Sequence, residues 1–267
     1  MSINREFWLR PFSEDYFPNW ICPRCETGVL RPIEKTFLYE ESGDVAAERL
    51  RHGEYFNYDV YTFRYSVLLK CNNSNCQERV SSCGQGYVQE DLVVVNEKLV
   101  FDQEGGPRTD MKELFIPEYF YPPINIFSVP KKCPEEVVND IKSSFKLFFA
   151  DPPASANYIR KAIEAILTDK KVKKVIVNHK GKKVSVNLHN RIVEFEKSKP
   201  DIAKKLFAIK WLGNEGSHTG KMTREDVLDA YEILEVVIEE LYVGQRKLID
   251  KKVSKINKSK KPLHSST

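Results

Sequence analysis

A chain of 267 residues has room for about two domains. Its 41% hydrophobic and 30% charged content is that of an ordinary globular protein, and no apolar run approaches membrane-spanning length, which argues against a helical membrane protein. A net charge of +4 is too small for a surface that adheres to nucleic acid everywhere, and the opening residues lack the apolar core of a secretion signal, so a cytoplasmic protein is expected.

The first chemistry along the chain is a pair of cysteines, Cys22 and Cys25, separated by Pro23 and Arg24. A second close pair follows at Cys71 and Cys76. Thiolates are soft, charged ligands, and two short Cys turns supply the two edges of the tetrahedron that Zn2+ prefers. Turn-forming residues flank both pairs, Gly28 on one side and Asn72, Asn73 and Asn75 on the other. In a reducing compartment such pairs read as metal ligands rather than disulfides. The interval between the pairs is longer than in common zinc templates, which suggests a ribbon with an elaborated middle. The alternative is four reduced thiols packed as small hydrophobes. Cys83 is a candidate substitute ligand or a buried thiol, and Cys133 has no partner nearby in sequence.

The rest of the first half reads as β. Stretches 29–39, 55–69, 79–88 and 92–101 are rich in β-branched and aromatic residues, the last turning back near Asn96. Between the first two, Ala46, Ala47 and Leu50 offer at most a short helix. From Leu114 to Val129 the prolines Pro117, Pro122 and Pro123 predict an extended aromatic connector.

Past Pro134 the apolar period becomes helical. Val137, Ile141, Phe145 and Phe148 form one stripe; Asp151, Pro152 and Pro153 then restart the chain into a second, with Ile159, Ile163 and Ile166. Residues 171–186 fit a lysine-coated hairpin turning at Gly181. Two further helices are expected over 188–196 and 200–212, and a last one opens on a capping box from Thr223 to Asp226. The predicted fold is α+β: a β-rich, zinc-ribbon-like domain over 1–130, a helical bundle with an inserted hairpin over 131–250, and a basic, disordered tail over 251–267.

Charge is concentrated in two places. Residues 170–183 hold seven lysines and no acid, and 246–267 hold eight basic residues against Asp250 alone, so the remaining body is acidic. Each patch is either a solvated face or a contact for RNA or DNA backbone; neither carries interleaved aromatics to stack bases.

Between the last two predicted helices, residues 210–220 hold three glycines with Lys210, Asn214 and His218. Gly213 would end the preceding helix, and His218 would stand accessible among small residues, able to titrate near neutrality. Its alternative is structural, with ring nitrogens pinning the loop. Arg160 and Glu164, one turn apart, form an intrahelical ion pair or a binding pair.

The stretch from Pro152 through Arg160 to Glu164, followed by Ile209 to His218, resembles the domain of unknown function family 4145, a bacterial family grouped with the HEPN helical bundles. Its members often carry an N-terminal zinc ribbon of the kind Cys22, Cys25, Cys71 and Cys76 would make, and occur beside restriction and anti-phage defence genes. The resemblance implies a bundle that pairs with a second copy or with a protein partner in a defence complex. It also implies a metal-independent endoribonuclease site. There His218 acts on the ribose 2′-hydroxyl or leaving oxygen, Lys210 stands where the family has arginine, and Asn214 lies between them. Lysine lacks the bidentate phosphate contact of arginine. Two readings follow, a defence-associated protein that acts on or binds RNA, and a non-catalytic zinc-ribbon adaptor. A nucleotide-sensing module that holds phosphate on loop N–H groups is a third.

Overall fold

The computed structural model describes residues 3–53, 61–92, 94–95, 98–101, 105–219, 222–260 and 262; for 94–95, 98, 214–219 and 245–248 it describes the backbone alone. Part of the second predicted strand (55–60), the turn at Asn96, Gly220 and the end of the tail (263–267) lie outside the described residues. The chain divides into two compact units, Asn4–Asn125, and Ile126–Thr267 together with Met1–Ile3. The first is β-rich and the second mostly helical.

The β-rich unit opens with α1 (Arg5–Leu9), capped by Asn4, and continues through β1 (Leu30–Pro32), β2 (Leu38–Glu41), α2 (Gly43–His52), β3 (Thr62–Cys71) and β4 (Arg79–Leu92). Two short strands, β5 (Val94–Val95) and β6 (Lys98–Leu99), precede the long β7 (Thr109–Tyr121). The main sheet is antiparallel in the order β1-β3-β4-β7, with β2 also on β3. Strand β3 alternates buried Phe63, Tyr65, Val67 and Leu69 with exposed or half-buried neighbours, as a one-sided sheet requires.

Strand β7 corrects the expectation of a connector over 114–129. Phe115 is fully buried and lies in ring contact with Phe12, Phe37, Tyr39, Phe63 and Tyr65 at 4.9–6.1 Å, so it centres the core of this unit. Pro117 obscured the strand because it cannot donate to a ladder. The structure places it beside a register shift, where Gly84 pairs with Pro117 and Cys83 with Tyr119, leaving Glu118 as the extra residue of a bulge. A Cβ on Gly84 would come within 2.2 Å of the Ile116 carbonyl oxygen, so only glycine fits opposite that bulge.

The helical unit comprises α3 (Glu135–Leu147), α4 (Pro152–Asp169), the hairpin β8 (Val175–Val177) and β9 (Lys183–Ser185), α5 (Leu188–Glu196), α6 (Pro200–Thr219) and α7 (Arg224–Ile238). A π-helical turn over Glu239–Val243 and a left-handed Gly244 (φ 68°) then lead into α8 (Gln245–Ser259). Apolar stripes of α3, α4 and α7 bury Ile141, Phe145, Ile159, Ile163, Leu234 and Val237. Within this core the Tyr231 hydroxyl lies 2.7 Å from Ser144 Oγ and 2.9 Å from Ser155 Oγ, and the two serines donate to each other's backbone carbonyls. All three side chains are buried with their polar atoms satisfied. Burial pushes the Tyr231 phenol far above its usual range.

The glycine-rich run 210–219 is a second correction. It is no connecting loop but the last turns of α6. Gly213 takes no left-handed φ, and a Cβ there would meet only the Ala156 carbonyl oxygen at 3.8 Å. It is a small residue inside a helix beside α4, and tertiary packing overrides its poor propensity.

Candidate metal centre

The two cysteine pairs converge because the sheet brings them together. In the β1–β3 pairing Leu30 lies opposite Cys71, so the turn before β1 meets the turn after β3. In the first turn the Cys22 N–H donates to the Gly28 carbonyl at 2.8 Å and the Glu26 N–H to the Cys22 carbonyl at 3.0 Å. The second turn closes through Cys71 N–H to the Glu78 carbonyl (2.8 Å) and Gln77 N–H to the Asn73 carbonyl (3.0 Å). Asn72 fastens the turns together. Its N–H donates to the Val29 carbonyl at 2.9 Å, and its Oδ1 accepts from the Val29 N–H at 2.8 Å. Both turns bend at the residue after the second cysteine, in left-handed conformations at Glu26 (φ 55°) and Gln77 (φ 51°).

The sulfurs of Cys22, Cys25, Cys71 and Cys76 all lie within 4.8 Å of one another. Cys22 and Cys76 are 3.8 Å apart and Cys25 and Cys71 3.7 Å, too far for disulfides and right for shared coordination. A tetrahedral ion with metal–sulfur bonds of about 2.3 Å sets its sulfurs roughly 3.8 Å apart, so the donor set fits such an ion. Four sulfurs fill all four positions, leaving none open for substrate.

Backbone groups complete the site. Gly28 N–H donates to Cys25 Sγ at 3.3 Å and Asn73 N–H to Cys71 Sγ at 3.4 Å. The Thr27 side chain, with the Thr27 and Gly28 backbone N–H groups, lowers the Cys25 thiol to about 5, while burial pushes Cys22 up to about 12 and also raises Cys71. Cys25 is therefore a thiolate at neutral pH, and an incoming ion displaces the protons of Cys22 and Cys71. Gly28 does more than turn the chain: a Cβ there would fall 2.4 Å from Cys71 Sγ. The sequence offered Gly28 only as a turn residue, and the roles of Thr27 and of the Asn73 N–H carried no signal.

The other cysteines stand apart. Cys83 is exposed, because β4 turns Val80, Ser82 and Gly84 inward and Cys83 outward, which corrects the buried-thiol reading. It pairs with Ser66, five residues up β3 from Cys71 and about 17 Å along the strand, so it belongs to no cluster with the other four cysteines. Cys133 is buried in the helical unit.

On α6, Lys210, Asn214 and His218 recur every fourth residue and so share one row of the helix. The ends of the row are about 12 Å apart along the axis. Lys210 is 8% exposed, and its Nζ lies 3.7 Å from the centre of the Trp211 ring, whose outer surface is open to solvent. The side chains of Asn214 and His218 lie outside the described residues. On α4, Arg160 Nε and Glu164 Oε1 are 3.9 Å apart and half-exposed, a weak intrahelical pair. Arg191 of α5, which the sequence did not mark, is buried; its Nη2 donates to Thr168 Oγ1 at 2.9 Å and to the Val172 carbonyl at 3.2 Å.

Residues 142–259 match the family model of a domain of unknown function, DUF4145. Residues 10–120 match a second such model, DUF8608. The matched spans hold α6 and the four-cysteine site, respectively. Among curated proteins and among solved structures, none matches the chain. No described helix is long and apolar enough to cross a membrane.

Proposed function

We propose that this is a zinc-stabilised, HEPN-like binding protein of the prokaryotic defence or restriction type, an adaptor within a larger assembly. The β-rich unit is a zinc ribbon, its ion structural. The helical unit is an interaction module that engages RNA or a protein partner, or pairs with a second copy, without cutting. The observation that carries the non-catalytic reading is Lys210. Its amine is buried against Trp211 and so committed to an indole face, where a phosphate-stabilising cation must be free to meet substrate.

The test has two parts. The purified protein should hold about one equivalent of zinc; less than half an equivalent after mild purification would remove the ribbon. Incubation with single-stranded and structured RNA should leave the RNA intact, and pull-down from the native host should recover a stoichiometric partner. An empty pull-down would count against the adaptor.

A metal-independent endoribonuclease is the second reading, favoured by the single row that holds Lys210, Asn214 and His218 on α6. It requires RNA cleavage that His218→Ala abolishes while zinc content and fold persist. Equal activity in both proteins would retire it.

A further inference from the structure

The hairpin between α4 and α5 is a two-stranded ribbon that neither the metal centre nor the α6 row uses. Its strands pair through Val175 with Ser185, Ile176 with Val184 and Val177 with Lys183. Consecutive strand residues point to opposite faces. Val175 and Ile176 are 47% and 48% exposed, so neither face of the ribbon is packed. Residues 170–186 carry seven lysines and no acid.

The ribbon is nevertheless held in shape. At its tip Asn178 Oδ1 accepts the N–H groups of Lys180 (2.9 Å) and Lys182 (3.0 Å), and Gly181 takes a left-handed φ of 73°. At its base the Val172 N–H donates to the Leu167 carbonyl at 2.9 Å, and the buried Arg191 donates to the Val172 carbonyl at 3.2 Å. A stiff, projecting, cationic element with bare aliphatic side chains is costly to expose unless something covers it.

The geometry points to duplex DNA as the occupant, with the ribbon lying along the major groove. A run of lysines without acids suits a polyphosphate backbone. No Phe, Tyr or Trp lies on the ribbon and its one imidazole, His179, is in the turn, so the strands offer no stacking platform for single-stranded bases. The major groove of B-form DNA, about 12 Å wide, admits a two-stranded β-ribbon, whereas the deep, narrow major groove of A-form RNA does not. The exposed valine and isoleucine side chains can meet thymine methyl groups on the groove floor. The ribbon shares no residue with the α6 row or with the four-cysteine site, so the proposal stands whether or not the adaptor reading does.

The experiment is a fluorescence-anisotropy titration of the full chain against a labelled 20-base-pair DNA duplex, the matching RNA duplex and each single strand, at several salt concentrations. Anionic phosphatidylserine vesicles are tested by co-sedimentation. Two variants accompany the wild type. The ribbon variant replaces Lys173, Lys174, Lys182 and Lys183 with Gln, and the control replaces Lys251, Lys252, Lys255 and Lys258 of α8 with Gln. All eight lysines are exposed, so both variants should melt like wild type. The wild type should prefer DNA duplex, and the ribbon variant should bind it at least 10-fold more weakly. The slope of log affinity against log salt should fall by about 3 to 4 for the four lost cations. The α8 variant should stay within about 3-fold of wild type. Absence of duplex binding, equal binding by the ribbon variant, equal preference for RNA duplex, or binding to vesicles alone would each overturn the proposal.

Discussion

At the scale of single residues the candidate metal centre is governed by what is missing as much as by its sulfurs. Gly28 leaves the space that Cys71 Sγ fills, 2.4 Å from where a Cβ would stand. Gly28→Ala should therefore lower metal affinity by at least 10-fold while leaving all four ligands in place, measured by competition with a chromophoric chelator. Unchanged affinity would mean that the turn relaxes freely. The thiols also set a pH dependence. With Cys25 lowered to about 5, and Cys22 pushed up to about 12 and Cys71 also raised by burial, loading near neutrality displaces at least two protons. Affinity should fall on acidification by at least about 100-fold per pH unit, after correction for the chelator's own titration. A flat profile from pH 6 to 8 would contradict the assignment of protonated Cys22 and Cys71. Glu26 and Gln77 hold left-handed φ values that L-residues adopt at a cost. Glycine at either position should stabilise the β-rich unit by up to about 1 kcal/mol, read as a higher Tm.

Elements show where sequence reasoning succeeds and where it fails. Helix α5 and the capping box of α7 were legible because their signals are local: apolar periodicity in one case, and in the other Thr223 Oγ1 accepting from the Asp226 N–H at 3.2 Å while Asp226 accepts from the Thr223 N–H at 2.8 Å. Thr223→Ala should cost about 1 kcal/mol, seen as a shift in urea midpoint without change in slope. Strand β7 and the end of α6 were misread for one reason. Pro117 and Gly213 break structure in isolation, yet each occupies a place where its defect does little harm, a bulge in the first case and a helix packed beside α4 in the second. Such places exist only once a partner element is present, so no local window reveals them. The bulge has its own test. Gly84→Ala would drive a Cβ into the Ile116 carbonyl and should destabilise by about 3 kcal/mol, whereas Cys83→Ser, one residue away and exposed, should be nearly silent.

At the scale of the molecule, the mixed α+β composition and the gathering of Cys22, Cys25, Cys71 and Cys76 were readable, because strand alternation, helical period and paired thiols each survive without tertiary context. The centring of the β-rich core on Phe115 was not, since it depends on strands far apart in sequence. All four cysteines of the candidate metal site lie in the Asn4–Asn125 unit. Chelation should therefore strip near-UV signal from the tryptophans and tyrosines of that unit, while the helical far-UV signal of Ile126–Thr267 persists. Loss of the helical signal at the same chelator concentration would contradict this.

The interval of 46 residues between Cys25 and Cys71 has a consequence for how this protein can change over time. An ion clasping both ends of so long a span removes much of the freedom of the unfolded chain, and that gain grows only with the logarithm of the span. The clasp is indifferent to what the span contains. Helix α2, which carries no ligand and lies between β2 and β3, could thus lengthen or shorten without disturbing coordination, so long as β3 keeps its pairing and Leu30 still meets Cys71. A bound ion would make the α2 segment of this unit a cassette.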